Sequence, residues 1–483
     1  MRGKKPQAFL TCIGCLLLVL ATTTARAQAP TEADDLRVLV EQMQQRIDAL
    51  EQEVEALRDE RTAAPREEAV AAEPAVAAPP AATVPAEGAA EPDDTLRAYW
   101  DGSLRFESAD EAFKLRIGGR IQADYGWFDE DSRLQLIRDP NTGAIRPVDL
   151  EDGAEIRRLW LTLTGSLYDA YDYSFQVALE DGDVDLRDLY LAMRDVPPGG
   201  RLRVGHYKEP FSLEAITSSN SITFLERSLA FALVPFRNVG VMAEGTAFDE
   251  RVSYAAGIFR DSDDGGDANA EGNYGLTGRI TALPWYEEDG RRLWHVGASG
   301  SYRSVNDDFR FRTRPEIHLT STRFLDTGFF PVDNLTLTGL ESALVLGPVS
   351  LQGEYNRADL DSPRFGDLDF DGYYVQGSWV LTGENRRYRT SNGTLGGVRP
   401  RNNFGWRGSE RGPGAWELAA RYSTLDLDDG LIRGGTEDNW TIGLNWYLNP
   451  SIRLMFNYVR GEVSNDLYDG DLEGFQGRFQ IGF

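Results

Sequence analysis

From residue 113 to the carboxy-terminus, apolar side chains recur at every second position in segment after segment, and a period of two means strands with one wet and one apolar face. Leu115, Ile117, Ile121, Tyr125 and Trp127 alternate with Lys114, Arg116, Arg120, Gln122 and Asp124. Tyr171, Tyr173, Phe175, Val177 and Leu179 do the same against Asp172, Ser174, Gln176 and Glu180. The last ten residues, GFQGRFQIGF, put Phe475, Phe479, Ile481 and the terminal Phe483 on one face and Gln476, Arg478 and Gln480 on the other. A soluble edge strand this apolar is an aggregation hazard unless the sheet closes on itself. Closure in lipid solves that problem, because every backbone N–H and C=O then finds a partner.

The alternation marks strands near 113–128, 154–167, 171–180, 186–194, 200–207, 238–248, 251–260, 273–283, 292–303, 334–345, 348–357, 370–382, 414–425, 436–448, 451–461 and 474–483. That is sixteen, an even number, as a single-chain barrel requires. A shorter stretch at 97–107 is expected to pair with the first strand at the periplasmic rim. No later segment offers the roughly 18 to 20 continuous apolar residues of a membrane helix. The fold class is therefore all-β: a 16-stranded antiparallel transmembrane β-barrel with an N-terminal periplasmic coiled-coil helix. With both barrel ends in the periplasm, odd-numbered connections lie outside; tight links such as Asp249-Glu250, Gly347 and Asn449-Pro450 then fall inside. The acidic stretches 261–272 and 466–474 are read as external connections, and Trp127, Tyr168, Tyr171, Trp440 and Tyr447 as interfacial girdle residues.

Ahead of the barrel, residues 1–27 read as a signal peptide: Arg2, Lys4 and Lys5, an apolar run through Leu20, and Ala25-Arg26-Ala27 as a cleavage site. Residues 28–61 form a coiled-coil helix, in which Leu36, Val40, Met43, Ile47, Leu50, Val54 and Leu57 trace a heptad seam. Val and Ile at the a positions lean toward two strands, a preference that a trimeric barrel would overrule; a lone amphipathic helix packed elsewhere is the alternative. Residues 62–96 are an Ala/Pro/Glu-rich linker, and 97–483 the outer-membrane barrel domain.

Charge and cysteine usage narrow the chemistry. The formal net charge of −27, which becomes −31 once the four basic residues of 1–27 are removed, disfavours nucleic acid as a partner. Cys12 and Cys15 leave with the signal, so the mature chain has neither a disulfide framework nor a thiolate site. His206, His295 and His318 sit beside no nucleophile motif, and no acidic stretch has a convincing metal-ligand spacing. The expectation is no catalytic residue, no metal and no cofactor.

One connection is too apolar for water: 208–237 carries Phe211, Leu213, Ile216, Ile222, Phe224, Leu225, Leu229, Phe231, Leu233, Val234 and Phe236. Folding inward against the barrel wall gives those side chains a surface and narrows the channel. The run GHYKEPFSLEAITSSNSITFLERSLAFALVPFRNVGV at 205–241 resembles the phosphate-selective porin family of O and P type. So do RIGGRIQADYG at 116–126, YVQGSWVLTGENRRY at 374–388, GAWELAARYSTLDL at 414–427 and NWTIGLNWYLNPSIRLMFNYV at 439–459, and the terminal Phe is similar to that of outer-membrane barrels. The resemblance implies a homotrimeric outer-membrane channel of a Gram-negative bacterium, embedded in outer-membrane lipid. It further implies a third loop folded inward and an arginine-lined constriction passing inorganic phosphate or other small anions.

Carried over by motif, the constriction residues are Arg120 in GGRIQ and Arg157 and Arg158 in EIRRLWLTL; by alternation only Arg158 faces the lumen, and Arg157 needs a twist or bulge to join it. Lys114, Arg116, Lys208, Arg227 and Arg237 are further lumen or vestibule candidates. Arginine suits the task, since its planar fork holds phosphate bidentately and stays charged. The blander alternative is that these arginines balance lumen carboxylates such as Asp124 and Glu180. One departure bears on specificity: the family's phosphate-specific members resemble lysine-rich ladders, while this chain has only Lys4, Lys5, Lys114 and Lys208. A general or other-anion porin whose coiled coil chiefly tethers the outer membrane to the cell wall is the competing function. The Arg-rich 383–413 segment falls on the periplasmic side, either as a basic vestibule or as a rim segment touching lipid head groups or a neighbouring subunit.

Overall fold

A computed structural model describes residues 95–483 apart from 149, 183, 198, 264, 269–272, 306–307, 406–411 and 466–467. The expected signal peptide, coiled coil and linker, up to residue 94, lie outside the described residues. A rim hairpin, β1 (Leu96–Trp100) and β2 (Leu104–Ser108), precedes the barrel. The wall then runs β3 (Phe113–Glu130), β4 (Gly153–Leu167), β5 (Tyr171–Ala178), β6 (Asp185–Val196), β7 (Gly200–Lys208), β8 (Arg237–Ala247), β9 (Val252–Arg260) and β10 (Tyr274–Glu287). It continues with β11 (Arg292–Ser304), β12 (Asn334–Leu346), β13 (Val349–Ser362), β14 (Gly366–Val380), β15 (Ala415–Asp429), β16 (Ile432–Tyr447), β17 (Ile452–Asn465) and β18 (Tyr468–Gly482).

Each wall strand pairs antiparallel with the next, and β18 closes on β3 from Leu472↔Glu130 to Gly482↔Arg120. Sixteen wall strands form, as the alternation requires. β18 stops short of the lower end of β3, and β2 takes over that bare edge through Leu104↔Ile117 to Glu107↔Lys114. The terminal residue is held there too, with Gly119 N–H donating to the Phe483 carbonyl and Phe483 N–H to the Gly119 carbonyl.

Alternation settles which side chains meet lipid. Trp127, Tyr171, Ile280, Leu340, Trp440 and Phe475 point outward and are exposed, whereas Gln122, Asp124, Arg421, Asn445 and Arg478 point inward and are buried. Tyr447 departs from the girdle expectation: it is buried, and its hydroxyl donates to Glu417 Oε2 at 2.7 Å, because its neighbour Trp446 holds the outward register. The acidic stretch at 466–474 is another correction, since from Tyr468 onward it belongs to β18 and only 466–467 connects two strands.

The lumen is largely filled. Leu134, Ile137 and Leu150 of the first external loop, Phe211, Leu229 and Leu233 of the third, and Phe311, Ile317, Phe324 and Phe330 of the fifth pack against inward-facing Leu335, Leu360, Phe370 and Leu425. This apolar core inside the outer half of the barrel is why such hydrophobic loops are stable in an aqueous channel: each side chain leaves water for another.

A second element enters from the opposite mouth. The periplasmic connection between β14 and β15 bears a short hairpin, Tyr388–Arg389 paired with Thr394–Leu395, that folds up into the barrel. Tyr388 and Leu395 join an apolar cluster with Leu213, Leu283, Leu293 and Val345. The hairpin part of this segment turns into the lumen, where Arg386 and Thr394 are buried, whereas Arg399 and Arg401 are exposed and Arg407 and Arg411 lie outside the described residues.

Candidate functional site

The third loop spans the gap between β7 and β8, whose last pair is Lys208↔Arg237. Its start is seated on β13: the N–H groups of Leu213 and Glu214, which open a single helical turn (α1, Leu213–Ile216), donate to the Glu354 carboxylate at 2.9 and 2.6 Å. The next stretch has no regular structure, so its buried carbonyls need side-chain donors. The wall supplies them in sequence: Gln122 to Ser219, Gln480 to Asn220, Arg453 to Ile222, Asn445 to Thr223, Arg478 to Leu225 and Arg421 to Glu226. The loop is thereby fixed to one side of the barrel, the wall from β15 round to β3.

Between the loop and the opposite wall, β3 to β10, runs a cavity of about 800 Å³. Its lining holds fourteen basic side chains (thirteen arginines and Lys208) against five acidic ones (Glu180, Asp188, Glu226, Glu244 and Glu316). Arg312, Arg314 and Arg323 come from the fifth external loop, Arg120, Arg187 and Arg237 gather over the Trp160 ring, Arg157, Arg158, Arg227, Arg201, Arg203 and Arg279 also line the space, and Arg389 reaches it from the periplasmic hairpin.

Arg157 joins Arg158 through a bulge. β3 pairs Gln122 with Arg158 and then Ala123 with Ile156, so Arg157 is the unpaired extra residue. Both guanidiniums meet Glu226 of the third loop, Arg157 as a fork at 2.8 and 3.1 Å and Arg158 at 3.6 Å. Burial pushes the Glu226 carboxyl up, but Arg157, Arg158 and Arg478 outweigh it and hold the group well below the usual carboxylate range. Of the two carboxylates expected to neutralise the lumen arginines, Asp124 pairs with Arg478 on the far wall at 2.6 Å, and Glu180 accepts from Trp160 Nε1 at 2.8 Å and lies 3.8 Å from Arg187.

Of Arg120, Arg157, Arg158, Lys208, Arg227 and Arg237, three are left without such a partner. Arg120 lies over the Trp160 ring at 4.3 Å and donates to Ser219 Oγ; Lys208 donates to the Ala215 carbonyl at 2.6 Å; Arg227 donates to the Glu214 and Thr217 carbonyls at 3.1 and 3.2 Å. Among the described residues none of the three is in ion-pair contact with a carboxylate, while neighbouring Arg237 is shared with Asp188 at 2.9 Å. One Arg120 donor, Nε, is buried with no acceptor. At the outer mouth, burial followed by Arg314 and Arg312 pushes the Arg323 guanidinium down to about 10, a sign of cations crowded together with little counter-charge.

Lys114 and Arg116 stand apart from this lining. Lys114 pairs with Glu111 at 3.0 Å at the periplasmic rim, and Arg116 donates to Ser103 Oγ at 2.8 Å on the approach to the rim hairpin. Sequence reasoning missed Arg187, Arg201, Arg203, Arg279 and the arginines of the fifth loop. The alternation in GRLRVGHYK and LTGRIT already put Arg201, Arg203 and Arg279 on the lumen face. Nothing comparable marked Arg312, Arg314 and Arg323, which lie in a loop with no period.

Comparison with known proteins bears directly on this geometry. Residues 115–483 match the family described as phosphate-selective porin O and P. The chain belongs to that family. The porin is 28% identical to Porin O of Pseudomonas aeruginosa over 425 residues, covering 79% of this chain and 91% of that protein. It is 32% identical over 484 residues to an uncharacterised protein of Caulobacter vibrioides, covering 94% and 90%. Among solved structures, an anion-selective porin from Comamonas acidovorans aligns over 77% of this chain and all of that one, at 12% identity and a TM-score of 0.45. By its family the protein is an anion-selective porin, a channel of a Gram-negative outer membrane.

Proposed function

We propose that this porin is a passive, phosphate-preferring channel whose selectivity is made by Arg120, Arg157, Arg158, Lys208, Arg227 and Arg237. The observation that carries the reading is the inversion of charge: a chain of net −27 surrounds its internal passage with fourteen basic and five acidic side chains. Rings of Arg or Lys are a common way to build an anion pore, and a lumen of one sign concentrates the opposite ion. Within the passage, Arg120, Lys208 and Arg227 have charge to offer an incoming anion. Ser218 and Ser219 beside them bring hydroxyls that an oxyanion can accept from or donate to. The carbonyl bonds of Lys208 and Arg227 fix those cations in place, so little rearrangement is needed on binding.

Two features temper affinity and so favour passage over trapping. Glu226 and Asp188 face the same space, and the cations form a continuous series, which lets an anion leave one site for the next. Reversal potentials in a planar bilayer test selectivity. Arg120→Ala and Arg158→Ala are expected each to reduce the anion-to-cation permeability ratio several-fold; an unchanged ratio would remove them from the constriction. Phosphate added to a chloride solution should lower conductance in a saturating manner, and a linear response would leave only a general anion porin.

The wider organisation is part of the same reading. The mature chain starts at Gln28, the barrel assembles as a homotrimer, and the heptads at 36–57 form a periplasmic coil in reach of the cell wall; the regularity of those heptads supports it.

A further inference from the structure

The basic segment between β14 and β15 reaches the constriction from the periplasmic side, and one residue makes the connection. Arg386 is buried in the lumen, with Nη2 donating to the Ser221 carbonyl at 3.0 Å, Nη1 to Thr223 Oγ1 at 3.0 Å and to Gln352 Oε1 at 3.4 Å, and Nε to the Gly396 carbonyl at 3.4 Å. It therefore ties three pieces together: the periplasmic hairpin, the wall strand β13 and the third loop. The loop residues it holds, 221 and 223, lie two and four positions after Ser219, whose hydroxyl meets Arg120. Ser221 is also the one position in the run from 219 to 223 whose carbonyl takes its donor from the periplasmic segment, all the others taking theirs from the barrel wall.

We propose that Arg386 is a positioning residue for the anion constriction, holding the third loop from below at the depth where Ser219 and Arg120 meet. The inference rests on the phosphate-site reading above. Arg386 spends its donors on protein groups, and it is absent from the cavity lining, so its effect on an anion is indirect. Its guanidinium suits the role because one planar head satisfies a carbonyl, a hydroxyl and an amide at once, which a lysine ammonium on the same stem does less well.

A crosslink separates position from charge. A Cβ built on Gly397 would lie 3.6 Å from Ser221 Oγ and 3.9 Å from Ser221 Cα, close enough for a disulfide between these positions, and residues 28–483 contain no cysteine. The measurement is single-channel conductance of the full-length porin in chloride, titrated with inorganic phosphate. Arg386→Met is expected to raise the half-saturating phosphate concentration about tenfold, the scale of losing one or two hydrogen bonds to a charged group. Adding Ser221→Cys and Gly397→Cys to that variant should restore the wild-type value under oxidation, and dithiothreitol should undo the rescue. An unchanged phosphate response in Arg386→Met overturns the proposal. So does a shift that the disulfide does not reverse, because the residue would then act through its charge. If the wild-type channel shows no phosphate saturation, the site reading itself has failed. Should Arg386→Met not yield a folded barrel, judged by heat-shifted gel mobility, Arg386→Lys with the same cysteine pair replaces it. A smaller loss reversed by oxidation supports the positioning role, and no loss overturns it.

Discussion

Arg157 and Arg158 are neighbours in sequence and would face opposite sides of a regular strand, yet both line the passage because the bulge at Arg157 turns one extra side chain inward. Their shared partner, Glu226, also binds Arg478, so one loop carboxylate ties the arginines of the passage to those of the far wall. Glu226→Gln removes that negative charge from the passage and leaves partly buried guanidiniums without it. The anion-to-cation permeability ratio is expected to rise, while thermal stability falls by roughly 3–5 kcal/mol, the usual result of breaking a buried pair; bilayer recordings and heat-shifted gel mobility measure the two. The pH dependence has a definite sign. Because the folded state holds Glu226 below its usual range, its contribution to stability is complete above the ordinary glutamate value of roughly 4.3 and is lost only as pH falls below that, through the depressed value. Thermal unfolding should therefore be flat with respect to this group from pH 8 to 5 and decline in stronger acid; an earlier decline that Glu226→Gln abolishes would contradict the assignment. Arg158 was legible from alternation alone. Arg157 was legible only as a condition, since a bulge arises from packing against the loop and leaves no periodic mark.

Among the elements, the third loop announced itself by composition, as eleven large apolar residues in a loop have to be covered. What it covers itself with was not visible: the anchoring donors Gln122, Asn445, Arg453 and Arg478 are ordinary lumen-facing positions on four different strands. The periplasmic hairpin was harder still. Its arginines were conspicuous, but whether a basic segment turns outward to lipid or inward to the lumen depends on acceptors from distant strands, here Ser221, Thr223 and Gln352. Gly393 gives a way to evict it. This residue has φ +59° at the hairpin tip, a Cβ there would come within 2.5 Å of Thr281 Oγ1 on β10, and its carbonyl accepts from Arg279 at 2.8 Å. Gly393→Val is expected to displace the tip and raise chloride conductance, with the barrel's heat-shifted mobility retained; unchanged conductance would mean that the hairpin does not narrow the path.

Across the whole molecule, charge is segregated by depth: carboxylates dominate the sum, and arginines dominate the passage. The barrel from residue 95 carries every side chain of the candidate site. Deleting residues 28–92 is therefore expected to leave single-channel conductance and phosphate response unchanged; altered conductance would show that the amino-terminal segment acts on the pore, and a detached or blebbing envelope would show the proposed cell-wall contact. By itself the sequence determined the number of strands, the face each turns to lipid, the closure by Phe483 and the presence of an inward loop. All of these follow from local period and composition, which a single chain displays directly. Only the tertiary structure decided which arginines are spent on carbonyls and carboxylates and which are left facing the passage. That outcome depends on partners far apart in the chain, Arg478 with Asp124 at a separation of 354 residues and Arg386 with Ser221 at 165, and a pattern of alternation contains no information about who will sit opposite across a lumen.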